Sequence, residues 1–162
     1  MFNILVSILC YDVWFYVSHL ALHSKYLWPY HAEHHSKEEP IFTDTYVSHA
    51  LEGPFQGMGL FFPLAFLEYS YFDMALALSF VNIRGMIRHD HRLTFLFGDH
   101  HIVHHRDPRY NYGEFWIDWV FGTLKVQSTG TLRPSAASPQ TGTRLQCDCA
   151  QSACEAPRPV QT

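Results

Sequence analysis

Asp12-Val-Trp-Phe-Tyr16-Val-Ser-His19-Leu-Ala-Leu-His23, followed after seven residues by His31-Ala-Glu-His34-His35, is the stretch that decides how this chain is read. Positions i, i+3 and i+4 of a helix lie on one face. Asp12, Tyr16, His19 and His23 therefore share a stripe, and a helix opened by Pro29 crowds His31, His34 and His35 onto one turn. So many imidazoles are hard to explain as packing. A buried imidazole without a partner leaves polar atoms unpaired, at about 1–3 kcal/mol each.

A second constellation answers the first. His100, His101, His104 and His105 sit in Gly98-Asp-His-His-Ile-Val-His-His-Arg106, and His101, His104 and His105 repeat the H-x-x-H-H spacing of His31, His34 and His35. His89 and His91 lie between. Imidazole is the usual nitrogen ligand of iron, zinc and copper. One ion takes about four to six ligands, so this supply points to two metals. No thiolate stands near the clusters, H-E-x-x-H is absent, and calcium or magnesium would want oxygen. Iron accepts several imidazoles and can leave positions open for O2.

Around these clusters the chain is apolar. It has 162 residues, enough for one domain, and a net charge of -4, with no basic surplus to suggest nucleic acid. Aromatics make up 16% of it, yet none follows Val126. The mean hydropathy of -0.09 thus averages two unlike parts. Met1 to Leu22 reads as a membrane-embedded helix, short for a full span of roughly 20 apolar residues. Gly53 to Ile83 is a second apolar block, interrupted by Glu68 and Asp73. A single span would hold both acids in lipid, at roughly 2.5–3.5 kcal/mol for Asp. A hairpin turning at Glu68–Asp73 avoids that and returns the chain to the side it left. Lys25, Lys37, Arg84, Arg88, Arg92, Arg106 and Arg109 all lie in the histidine-bearing segments, a bias that marks the cytosolic side.

The reading is an all-α, membrane-embedded helical bundle with a cytosolic, histidine-rich helical cap over residues 1–126, and a disordered tail over 127–162. That tail is rich in Ser, Thr, Pro and Gln, with too little apolar area to offset ordering entropy. Its Cys147, Cys149 and Cys154 have no partner set, and with Cys10 they imply no disulfide framework. Met1–Ile8 lacks the charged start of a cleavable signal peptide.

The spacings H-x3-H (His19, His23), H-x2-H-H (His31, His34, His35) and a final H-x2-H-H (His101, His104, His105), joined by an apolar hairpin, resemble the fatty acid hydroxylase/sterol desaturase superfamily. Asn111-Tyr-Gly113 and Trp116-Ile-Asp118-Trp-Val-Phe-Gly122-Thr123 add to the likeness. So do Asp12-x3-Tyr16-x2-His19 and His49-Ala-Leu-Glu52, where Ala50 replaces the family's proline. The resemblance implies a membrane-bound, non-haem di-iron enzyme that uses O2 to hydroxylate or desaturate a sterol or fatty acyl chain. By matching position it implies His19, His23, His31, His34, His35, His89, His101, His104 and His105 as metal ligands, with no catalytic side chain beyond them. His49, His91 and His100 stay open. Asp12 is a candidate to hold a ligand imidazole through its far N–H. No haem, flavin or nicotinamide motif is present, so a separate electron donor, a reductase or a cytochrome b5-like protein, is implied. The site would face the cytosol, from the endoplasmic reticulum in a eukaryote or the inner membrane in a bacterium. Because the hydrophobic segments ahead of the first box are short, a catalytically inactive family member or a metal-stabilised membrane scaffold is the alternative. A histidine-lined transporter fits less well, since Gly53–Ile83 contains no histidine.

Overall fold

The computed structural model describes residues 1–126, which are helical with no β-strand among them. The reading of 127–162 as a disordered tail lies outside the described residues. Helix α1 (Phe2–Leu22) is long and apolar enough to cross a membrane, alone among the described helices. At 1.5 Å per residue it is about 30 Å long, close to a bilayer's apolar thickness. Its faces are inverted relative to a soluble helix. Ser7, Asp12, Tyr16, Ser18 and His19 point inward and are buried, while Leu5, Leu9, Val13 and Val17, one every fourth residue, are exposed.

After His23 the chain turns through Ser24–Leu27 into α2 (Trp28–His31), with Pro29 in its first turn, where the missing N–H costs nothing. The expected helix through His31, His34 and His35 does not form as one piece. α2 stops at His31, and His34–Ser36 is a separate 3₁₀ turn that ends at an extended Lys37 (φ -126°, ψ 129°). The break changes the direction of His34 relative to its neighbours, which matters for the site below.

The apolar hairpin also differs from two plain helices. Its first leg is α3 (Glu52–Gly57) followed by a 3₁₀ stretch, Met58–Ala65, that contains Pro63. Proline has no N–H to continue an α-helical ladder. This leg lies against α1, where the Trp14 indole donates to the Phe55 carbonyl at 2.7 Å. Gly59 sits where a Cβ would fall 2.4 Å from the Trp14 Cβ, so the close approach requires glycine. The turn falls at Phe66–Ser70, a little before the expected Glu68–Asp73: Glu68 lies in it, and Asp73 lies in the first turn of the next helix. There Asn3 donates to the Glu68 carbonyl at 2.7 Å, and the Tyr69 hydroxyl accepts from Ser7 at 2.6 Å. Ser70 then caps α4 (Tyr71–Arg88), accepting from the Asp73 N–H at 3.1 Å. Leu60, Ala77 and Val81 form a small core with Ile4, Ile8, Tyr11 and Met74 of α1 and α4.

Beyond α4, a 3₁₀ turn (His91–Leu93) and one-turn α5 (Thr94–Phe97) lead to α6 (His100–Arg106) and α7 (Phe115–Phe121), which stops at Gly122 with φ 71°. The last segment is organised by Asp118, which is fully buried. Its carboxylate accepts the Tyr112 and Gly113 N–H groups, both at 2.9 Å, and the Thr123 hydroxyl at 2.6 Å. Asn111, in the left-handed region at φ 60°, donates to the His100 and Lys125 carbonyls at 3.0 and 2.9 Å. Two polar side chains thus fix the backbone around Tyr112.

Candidate metal centre

Nine imidazoles meet where α1, α2, the 34–36 turn, the end of α4 and α6 converge. They form two groups. His19, His23, His31, His35 and His104 each turn one ring nitrogen inward, and these lie within 4.8 Å of one another. His34, His89, His101 and His105 do the same. The broken helix explains the division, because His31 and His35 enter one group and His34 the other.

The nitrogens that converge are Nε2. In the larger group successive Nε2 atoms of His19, His31, His35 and His104 are 3.0, 3.1 and 3.2 Å apart. In the smaller, His34, His89 and His101 are 2.9 and 3.0 Å apart. The opposite nitrogens tell what these approaches are. His19 Nδ1 donates to the Tyr112 carbonyl at 2.6 Å, His104 Nδ1 to that of Tyr110 at 2.5 Å, and His89 and His105 Nδ1 to those of Gly85 and Lys37 at 2.9 and 3.2 Å. A neutral ring that donates from Nδ1 carries only a lone pair at Nε2. Bare lone pairs from several rings then face each other, which repels unless a cation lies between them. Nitrogens about 2.1 Å from a common metal stand about 3.0–3.4 Å apart, so the spacing fits a shared ion. The buried Nε2 atoms of His23 and His105 have no other partner.

Burial keeps these rings neutral and ready to ligate. It pulls His31 and His34 down to about 4 and His23 and His105 to about 3, with neighbouring imidazoles adding to the effect for His23 and His105. His35 and the buried His89, His101 and His104 are lowered further by the same causes. The Trp28 ring covers the outer side, 5.3 Å from His23 and 5.5 Å from His35.

The open histidines fall elsewhere. His49 packs on Tyr30 and accepts the Leu51 N–H at 3.2 Å. His91 donates to the Pro40 carbonyl at 3.0 Å, and His100 faces the Asp118 carboxylate at 2.9 Å. Asp12 is a correction. It holds no imidazole. Its carboxylate pairs with the Arg84 guanidinium, which also lies 3.5 Å from Glu114, itself bonded to Arg88. Asp12 is two helical turns before His19, so their side chains sit about 10 Å apart along the axis, and an arginine of α4 reaches it first. The holding role belongs largely to backbone carbonyls, which no side-chain pattern reveals. Glu52 is the acid that reading by spacing left without a role. It is buried, its Oε1 lies 3.0 Å from His31 Nδ1, and burial pushes its carboxyl up to about 7.

Beside the groups is a cavity of about 370 Å³ between α1, α3 and α4. His19, His34, His89 and His101 line it, with Phe15, Leu60 and Phe61 among its apolar walls and Glu52, Arg84, Arg88 and Glu114 among its charged ones.

Similarity to known proteins gives the chain's family. A Delta(7)-sterol-C5(6)-desaturase of Nicotiana tabacum is 32% identical over 122 residues, covering 68% of this chain and 45% of that protein. The chain therefore spans less than half the length of this curated relative. No solved structure matches. Residues 4–123 match the fatty acid hydroxylase family, a range that takes in all nine converging histidines, and the chain belongs to that family.

Proposed function

We propose that this chain forms the metal centre of a membrane-bound oxidoreductase that hydroxylates or desaturates a lipid. The observation that carries the reading is the pair of imidazole groups that both line one cavity whose walls include Phe15, Leu60 and Phe61. The nine histidines would hold two irons, five ligands at one and four at the other. Bound as ferrous ions, these supply the reductive activation of O2 that breaking an alkyl C–H bond demands.

The protein's own residues do the rest. The carbonyls of Tyr110, Tyr112, Gly85 and Lys37 fix ring orientation before metal binds, which lowers the cost of assembling the site. Phe15, Leu60 and Phe61 exclude water and orient an alkyl chain or ring toward His19, His34, His89 and His101. The apolar outward face of α1 places the cavity within reach of a bilayer, the source of substrate. The basic residues near the histidines support a cytosolic side for this cap, where a separate electron donor would dock. Sterol and fatty acyl substrates both suit such walls.

Metal analysis of the purified chain, with lipid profiling of a host that expresses it, tests the reading. Two irons per chain and a new oxidised lipid are expected. His34→Ala should reduce the metal towards one and abolish the product while protein remains in the membrane. A folded preparation that stays metal-free in excess iron overturns the proposal. Metal without a product, with loss of fold in His34→Ala, leaves a metal-stabilised scaffold instead.

A further inference from the structure

The buried acids of the described residues divide into two kinds. Asp12 pairs with Arg84, Asp44 with Lys37 at 2.7 Å, Asp90 with Arg92 at 2.6 Å, and Asp118 faces His100 at 2.9 Å amid three further donors. Glu52 has no such set. It is 2% exposed, no Lys or Arg lies against it among the described residues, and its Oε2 has no hydrogen-bond partner. Its one close polar neighbour is His31 Nδ1, at 3.0 Å from Oε1 with the N–H turned off the line between them. Burying an unpaired carboxylate costs several kcal/mol, a cost that a proton or a nearby cation offsets. The nearest position for a cation is across the imidazole, where His31 Nε2 converges with His19 and His35.

We propose that Glu52 is a positioning residue for the five-histidine centre. It stands behind His31 at Nδ1, the one acid of the described residues within 4 Å of a converging imidazole nitrogen, and orients that ring. A carboxylate acceptor raises the basicity of a ligand imidazole more than a neutral carbonyl does. In the four-histidine group the supporting acceptors seen are carbonyls, those of Gly85 and Lys37. The two metal positions therefore differ in strength, the five-histidine one binding more tightly. This inference rests on the proposed two-metal reading.

The test is an anaerobic titration of cobalt(II) into the metal-free full chain in detergent, followed by the visible absorption of bound cobalt. The wild-type chain should fill in two steps with distinct spectra. Glu52→Gln keeps size and an acceptor oxygen but removes charge, and it should weaken the first step ~10- to 100-fold and the second less. Glu52→Asp should restore part of that loss. His89→Ala should weaken the second step alone, which assigns each step to its group. Two wild-type steps that Glu52→Gln leaves unaltered overturn the role of Glu52 and leave the two-metal reading standing. Binding of two ions in one indistinguishable step overturns the inequivalence without any variant. A wild-type chain that binds no cobalt overturns both readings.

Discussion

The histidine cap and the α1–α4 shaft bury opposite kinds of side chain. In the shaft, Leu60, Ala77 and Val81 pack on the inner face of α1, and its outer face is apolar too. In the cap, His19, His31, His104 and Asp118 are fully or almost fully buried, sharing α6 and α7 with the buried Ile102, Val103 and Ile117. The shaft is held by dispersion and by a surrounding that favours apolar surface. The cap is held by oriented polar contacts around imidazole nitrogens that could hold a cation. The difference teaches where each region is vulnerable: the cap to protons and chelators, the shaft to changes of shape.

Acid should have the largest effect. Unfolded, these imidazoles take up a proton near 6.5, whereas in the fold His31 and His34 do so only near 4, and His23 and His105 near 3. The unfolded chain therefore binds more protons, and stability that is complete above 6.5 falls as the pH drops towards 3. Cap structure and bound metal should be lost together in that window, as followed by tryptophan fluorescence and metal analysis. A cap unchanged at pH 4 would break the contrast.

Asp12→Ala comes next. It leaves Arg84 half-compensated in the interior, and breaking a buried pair costs about 3–5 kcal/mol, read as a fall in the thermal midpoint in detergent. Metal content should stay, because Asp12 touches Arg84 and not a ligand ring. Loss of metal without loss of stability would return Asp12 to the centre. Gly59→Ala should cost about 1–3 kcal/mol by overpacking against Trp14, again at constant metal. Leu9→Ala, on the exposed stripe of α1, should move the midpoint by no more than about 0.5 kcal/mol. A large effect there would show that this face packs on protein.

How much of this was legible beforehand depends on the residue. The two H-x-x-H-H spacings and His19–His23 name eight of the nine rings that converge, because three clusters of one residue type have few other uses, and the family resemblance adds His89. The bend at Glu68–Asp73 was legible from the cost of acids in lipid. The 3₁₀ form of Met58–Ala65 was not, since it follows from fitting Gly59 and Pro63 against Trp14. Asp12 misled, because its periodicity matches His19 while its partner, Arg84, lies far along the chain. Glu52 was quoted for its neighbours and not for itself, since an acid opening an apolar run looks like an ordinary helix start.

Local residue type and spacing by themselves determined the all-helical character of the described residues, a supply of imidazole enough for two ions, and the apolar lengths that separate the clusters. Only the tertiary structure decided which imidazole joins which group, that carbonyls and Glu52 stand behind them, and that Asp12 serves an arginine. The physical reason is that ligand supply is a property of composition and period, whereas the aim of a ring is set by partners that only folding brings within 3 Å.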